Sequence, residues 1–259
     1  MGSDREDEEV TPQRDRVLVV IPARWGSSRF PGKALADVGG APLVVRVVAN
    51  AARMRTADRV VVATDDARIL AAVRDAGYEA EMTGEHATGT DRSGEVAALD
   101  PAGIVVNLQG DEPLLDPAVA DLLVETLGGD ADAGVATCGH PFADATAWRD
   151  PNQVKVVCDR SGRALYFSRA PIPGMFPGRG DDAYGLALRH VGIYAFRRAT
   201  LERFLALDRT PLETTEGLEQ LRLLENGVVI RVRRIADAPV GVDTPADLEV
   251  VRRLWTGGI

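Results

Sequence analysis

Arg16-Val-Leu-Val-Val-Ile-Pro-Ala23 is an unbroken run of β-branched and apolar residues, and Arg24-Trp-Gly-Ser-Ser-Arg-Phe-Pro-Gly-Lys33 follows it directly. A strand wetted on one face alternates in polarity, so a continuous apolar run reads as a strand buried on both faces, as in a parallel sheet covered by helices. Similar runs occur at Arg59-Val-Val-Val-Ala-Thr-Asp65 and Ile104-Val-Val-Asn-Leu-Gln-Gly-Asp111, with weaker ones at Gly134–Cys138 and Gln153–Cys158. Helical spacing separates the strong runs, over Pro42–Met54, Asp66–Ala76 and Pro117–Leu127. An acidic residue or a proline opens the last two, with Asp65 and Asp66 reading as a helix start. Strand alternating with helix predicts an α/β fold built on a mostly parallel βαβ sheet.

The length of the whole chain suits one large domain or two small ones. Its 259 residues are 45% hydrophobic, enough for a substantial core. With 30 basic against 39 acidic residues the net charge is −9, which argues against a dedicated nucleic-acid binder. Cys138 and Cys158 are too few for a disulfide framework or a four-cysteine zinc site and read as small hydrophobes in a reducing compartment. Residues 1–15 are acidic and polar and read as a disordered tail rather than a signal peptide. No run of about 18 apolar residues is present, so no membrane span is expected and the cytoplasm is the expected location. Lys33 and Lys155 are the only lysines in an arginine-rich chain, which makes the position of each informative.

A second half begins near Pro151, with Ala164–Arg169, a Gly/Pro-rich stretch from Pro171 to Gly185, and Arg189-His-Val-Gly-Ile-Tyr-Ala-Phe196. Helices are expected at Thr200–Ala206 and Thr215–Glu225, then a strand at Val228–Val232, then a last helix opened by Thr244-Pro245.

Ligands of such sheets bind beyond the carboxyl ends of the strands, which draws attention to residues 22–33, 64–65 and 109–113. The first loop lacks G-x-G-x-x-G. It also misses the phosphate loop of P-loop enzymes, because five residues separate Gly26 from Gly32 and Ala34 follows Lys33. What remains is R-x4-R-x3-K: Arg24, Arg29 and Lys33 beside Gly26, Ser27 and Ser28. Guanidinium forks and a point-charge ammonium on flexible backbone suit a triphosphate.

Ile21-Pro-Ala-Arg24, Arg29-Phe-Pro-Gly-Lys33, Gly89-Thr-Asp-Arg92, Asn107-Leu-Gln-Gly-Asp-Glu-Pro113, Phe167-Ser-Arg169, Arg189–Tyr194, Leu218-Glu-Gln-Leu-Arg222 and Gly241-Val-Asp-Thr-Pro245 occur in this order. Together they resemble the signature of sugar-activating nucleotidyltransferases, particularly the cytidylyltransferases that activate 3-deoxy-manno-octulosonate (Kdo). The resemblance implies a Rossmann-like nucleotide-diphospho-sugar transferase fold with a smaller acceptor and dimerisation part. It divides the chain into a nucleotide half (16–150), an acceptor part (151–240) and a last segment with a metal aspartate and helix (241–259).

The resemblance implies CTP as one substrate and an acidic acceptor, most simply Kdo, as the other. It assigns Mg²⁺ to Asp111 and Asp243, and triphosphate chemistry to Arg24, Arg29 and Lys33. Pro22, Ala23, Arg24, Gly26, Ser27, Lys33, Arg92 and Gln109 would hold the nucleotide, and Arg169, His190, Tyr194, Glu219 and Gln220 the acceptor. A homodimer is implied, with no nucleic-acid or membrane partner. Gly174 and Gly217 depart from the family pattern on the acceptor side, which leaves CMP activation of a small phosphonate as the alternative. A UTP- or GTP-using transferase and a non-catalytic nucleotide-binding dimer are further readings of the same fold. Asp243 before Thr244-Pro245 also reads as cap chemistry. Glu112 reads as structural, and His86 and His140 carry no expected role.

Overall fold

Val17, Val19 and Ile21 pack into one hydrophobic layer and Leu18 and Val20 into another, all fully buried, so strand β1 (Val17–Ala23) is covered on both faces. The computed structural model describes residues 14–26, 30–176, 182–237 and 240–256. After β1 come the short strands β2 (Asp37–Val38) and β3 (Ala41–Pro42), then α1 (Leu43–Ala51), β4 (Arg59–Thr64), α2 (Ala67–Asp75) and β5 (Glu79–Met82). Next are α3 (Gly89–Ala98), β6 (Ile104–Asn107), α4 (Pro117–Gly128), β7 (Ala133–Pro141) and α5 (Ala145–Arg149). The second half adds β8 (Lys155–Cys158), β9 (Ala164–Ser168), β10 (Leu188–Arg197) and α6 (Arg198–Ala206). The chain then runs through α7 (Pro211–Glu216), α8 (Gln220–Glu225), β11 (Val229–Arg234) and α9 (Pro245–Thr256).

The main sheet has nine strands in the order β11-β7-β10-β6-β1-β4-β5, with the β8–β9 hairpin attached through β10. β1 pairs in parallel with β4 on one side and β6 on the other. β10 runs antiparallel between β6 and β7, and β11 returns parallel to β7. Helices α1, α2 and α4 contribute to one layer, and α3, α6 and α8 to the other. The expected mostly parallel sheet flanked by helices is therefore present. The chain moves from β1 through β4 to β5 and then crosses back to β6, so strand order reverses at β1. Such a reversal opens a crevice at the carboxyl ends of the two diverging strands.

Three expectations are corrected. The single helix expected over Thr215–Glu225 is two helices, α7 and α8. Gly217 is the left-handed C-cap of α7 at φ +62°, a position where glycine avoids a Cβ penalty, not an interior helical residue. The buried guanidinium of Arg222 holds both carboxylate oxygens of Glu213 at 2.8 and 2.5 Å and so ties the two helices across the turn. Asp66, not Asp65, caps α2, accepting from the Arg68 backbone N–H. Of the acidic tail, Arg14 and Asp15 are described, and Arg14 is anchored to the Thr56 carbonyl and Asp58; residues 1–13 lie outside the described residues.

Candidate active site

The crevice at the ends of β1 and β6 is a cavity of about 260 Å³. Pro22, Ala23 and Arg24 line it from β1, and Gln109, Gly110 and Asp111 from the segment after β6. Lys33 and Asp243 complete one part of the wall, and His86, Thr88, Gly89 and Arg92 another. Four of the five residues expected at the triphosphate and metal thus face one cavity. Arg29 and Ser27 lie outside the described residues, and Gly26 does not line the cavity.

Local bonding explains the convergence. The Val242 backbone N–H donates to the Asp111 carbonyl at 2.8 Å, which joins the segments carrying the two acids. Val242 itself is fully buried in a cluster with Val38, Leu43, Leu248 and Val251, so the joint is anchored. Lys33 opens a turn of 3₁₀ helix, and its Nζ donates to Asp111 Oδ2 at 2.5 Å and to the Val242 carbonyl at 2.9 Å. The same ammonium lies 3.7 Å from Asp243 Oδ1. The cap reading of Asp243 gives way to Thr244 and Asp247: Asp247 accepts from the Thr244 N–H and hydroxyl, and Thr244 Oγ1 accepts from the Asp247 N–H. Glu112, read as structural, does not line the cavity. Burial, then the neighbouring Asp111 and Asp243, push its carboxyl up to about 8, and its buried Oε2 has no hydrogen-bond partner among the described residues.

At the other part of the wall Arg92 is 3% exposed. Its guanidinium donates to Thr83 Oγ1, Asp65 and, at 3.3 Å, the Gly84 carbonyl. Asp65 therefore holds Arg92 against the cavity. Thr88 caps α3, whose N-terminal turn faces the same space and favours an anionic or acceptor-rich ligand. Sequence reasoning missed His86, which lines the cavity and is paired with Glu95. Gly110, inside the singled-out segment 109–113 but given no role, also lines it, and a Cβ there would meet the Pro22 carbonyl oxygen at 2.7 Å. The glycine directly after the β6 run was the available signal.

The acceptor residues lie outside that cavity, on β10, α8 and the end of β9. Gln109 Nε2 donates to the Gly192 carbonyl at 3.2 Å and links the nucleotide wall to β10. Thr90 of α3 donates to Glu219 Oε2 at 2.6 Å, a second link. The Tyr194 and His190 rings meet at 5.4 Å, tilted by 50°, and burial, then Glu219, hold the tyrosine well above its ordinary range. Gln220 is buried, and its Nε2 has no hydrogen-bond partner among the described residues. Arg169 is held by backbone carbonyls of Pro151 and Glu216.

Burial pushes the His190 imidazole down to about 3, so it is neutral at neutral pH, with Nε2 bonded to Thr137 Oγ1 at 3.0 Å. The unfolded chain, with an ordinary histidine pKa, binds a proton that the folded chain refuses between about pH 6.5 and 3. Stability contributed by His190 is therefore fully present above pH 6.5 and declines as pH falls toward 3. Urea unfolding of His190→Gln against the parent at pH 7 and 4.5 is expected to show a smaller acid loss in the variant, by about 2 kcal/mol. An equal acid loss in both would remove His190 from the acid response.

The chain matches the family model described as cytidylyltransferase over residues 18–235. A 3-deoxy-manno-octulosonate cytidylyltransferase of Anaeromyxobacter sp. strain Fw109-5 is 50% identical over 245 residues, covering 94% of this chain and 98% of the relative. One bearing the same name from Halorhodospira halophila is 51% identical over 245 residues, covering 91% and 95%. A solved structure of CMP:2-keto-3-deoxy-manno-octonic acid synthetase complexed with CTP superposes with a TM-score of 0.89 at 43% identity, covering 94% of this chain and all of that one. A cytidylyltransferase of Leptospira borgpetersenii shares the fold at 19% identity and a TM-score of 0.64. Identity spread over nearly the full length, on a sheet whose strand-end cavity gathers Lys33, Asp111 and Asp243, places this chain in the cytidylyltransferase family, among the 3-deoxy-manno-octulosonate cytidylyltransferases.

Proposed function

We propose that the cavity binds CTP and that the enzyme transfers CMP to 3-deoxy-manno-octulosonate. An acceptor hydroxyl oxygen bonds to the α-phosphorus as the bond from that phosphorus to the pyrophosphate oxygen breaks. The hydroxyl proton passes to solvent, and pyrophosphate leaves. Nucleotidyl transfer needs charge neutralisation and in-line positioning more than covalent help from the protein. The observation that carries the reading is the meeting of Lys33, Asp111 and Asp243 within one cavity beside Arg24.

Arg24 and Lys33, with Arg29 as the third cation of the loop, hold the triphosphate and the departing pyrophosphate. Arg92 and Gln109, with the backbone of Pro22 and Ala23, bound the nucleoside. Arg169, His190, Tyr194, Glu219 and Gln220 hold the acid sugar. The donor set suits Mg²⁺: the carboxylates of Asp111 and Asp243 converge on one cationic nitrogen at the cavity wall. No group of three or more metal-ligating side chains occurs among the described residues. Mg²⁺ takes one or two carboxylates and completes its shell with phosphate oxygens and water, so Asp111 and Asp243 would suffice. Bound there, Mg²⁺ would supply positive charge to the α-phosphate as pyrophosphate departs.

The nucleotide half spans 16–150 and the acceptor part 151–240. That acceptor part exposes Leu165, Phe176 and Leu186 at 60%, 78% and 74%, apolar surface suited to a second copy of the chain. Among the described residues no helix is long and apolar enough to cross a membrane. The cytoplasm is the location that two cysteines outside any disulfide support.

The test is pyrophosphate release with Mg²⁺, crossing CTP, UTP and GTP with the octulosonate and small phosphonates. Turnover is expected with CTP and the octulosonate, and to vanish on chelation. Preference for another nucleotide, or for a phosphonate, would overturn the assignment of that substrate.

A further inference from the structure

Lys155 is one of two lysines in the chain and is fully buried, although it stands outside the nucleotide cavity. Its Nζ donates to the Arg169 carbonyl at 2.6 Å and to the Asp150 carbonyl at 2.8 Å. A compact ammonium fits between two carbonyl oxygens where the planar fork of arginine would not, which gives a reason for lysine in an arginine-rich chain. Burial lowers its affinity for a proton, while the carboxylates of Asp150 and Glu216 oppose that effect. Buried cations persist where bonded in this way and are costly otherwise.

Glu216, the last residue of α7, holds the other side of the same residue. Its Oε2 accepts from the Arg169 backbone N–H at 2.8 Å, and its Oε1 accepts from Ser168 Oγ at 2.6 Å. The peptide groups on both sides of the Arg169 Cα are therefore fixed, one by an ammonium and one by a carboxylate. The side chain is steadied as well: Nε donates to the Glu216 carbonyl at 2.7 Å, Nη1 to the Pro151 carbonyl at 3.1 Å and Nη2 to the Gly217 carbonyl at 3.5 Å. A guanidinium carries five N–H groups, so three bonds to carbonyls leave two for an anion.

We propose that Lys155 and Glu216 are positioning residues for the acceptor, clamping the Arg169 backbone so that the remaining N–H groups of its guanidinium meet the carboxylate of the acid sugar. The proposal rests on the reading of Arg169 as an acceptor-binding residue. The carboxylate of the acceptor is the group matched, since a planar fork recognises a planar anion by paired, charge-assisted hydrogen bonds.

The experiment compares Arg169→Ala, Glu216→Gln and Lys155→Met with the parent in steady-state pyrophosphate release, with CTP affinity measured separately by calorimetry and folding by circular dichroism and melting temperature. Arg169→Ala is expected to raise KM for the octulosonate about a hundredfold, the loss of charge-assisted hydrogen bonds. Glu216→Gln and Lys155→Met are expected to raise it about tenfold through misplacement, with CTP affinity unchanged and kcat at saturating acceptor nearly retained. Glu216→Gln preserves shape, so it decides the matter even where Lys155→Met does not fold. If Arg169→Ala raises the acceptor KM but folded Glu216→Gln keeps the parental value, the clamp serves stability and the proposal is overturned. If Arg169→Ala itself leaves the acceptor KM unchanged, the reading on which the proposal rests is the one that fails.

Discussion

Asp111→Ala is expected to lower kcat for pyrophosphate release by about a thousandfold while the protein stays folded. The carboxylate lies 2.5 Å from the Lys33 ammonium on the wall of the nucleotide cavity. Losing it removes one of the two groups proposed to hold Mg²⁺ against the α-phosphate. Stability is expected to change little, because Lys33 keeps the Val242 carbonyl and Asp243 as partners and the Asp111 pair is partly exposed. The Val242–Asp111 backbone bond that joins the two segments does not involve the side chain and persists. Rapid-quench measurement of the chemical step beside a thermal melt checks both halves. A rate within threefold of the parent would sink the assignment.

Lys33→Met should cost at least about a hundredfold in kcat/KM for CTP, since the departing pyrophosphate loses a charge-assisted donor inside a partly enclosed site. Its second signature is opposite in sign. Without the ammonium, Asp111 and Asp243 lose the cation that both approach, so millimolar Mg²⁺ should raise the melting temperature of the variant more than that of the parent. Lys33→Arg is expected to restore little, because a guanidinium fork is too broad for the space between Asp111 Oδ2 and the Val242 carbonyl. Full activity in Lys33→Arg would show that charge, not shape, is what the site requires there.

The parallel sheet was legible because β1, β4 and β6 are runs of valine and isoleucine that no amphipathic element would contain. Elements with weaker patterns were not legible. Helix α3 buries Thr90, Arg92, Ser93 and Gly94 in its first turns and only Val96 and Ala97 after them, so most of its inward face is polar or glycine and its apolar signal is short. It is nevertheless the element that brings Arg92 to the cavity. Strand β5 is Glu-Ala-Glu-Met at the sheet edge, with one buried residue among four. The break at Gly217 depends on the Glu213–Arg222 pair, which lies across two helices and leaves no periodic trace.

The cluster of Lys33, Asp111 and Asp243 was legible in kind, because a charged residue after an apolar strand points to the ligand edge. That the ammonium would sit between the two acids was not, since residues 33, 111 and 243 meet through tertiary folding alone. Asp65 illustrates the same limit: its role in holding Arg92 depends on a contact between the ends of β4 and α3.

The placement of the two lysines gives this protein an unusual covalent chemistry. Lys155 is sealed in the interior, and the Lys33 side chain is 16% exposed at the nucleotide cavity. Acylating reagents that consume primary amines find side-chain targets at no arginine, so the accessible side-chain amine of this molecule lies at the mouth of the cavity proposed to bind CTP. Labelling becomes a direct reporter of whether that mouth is filled.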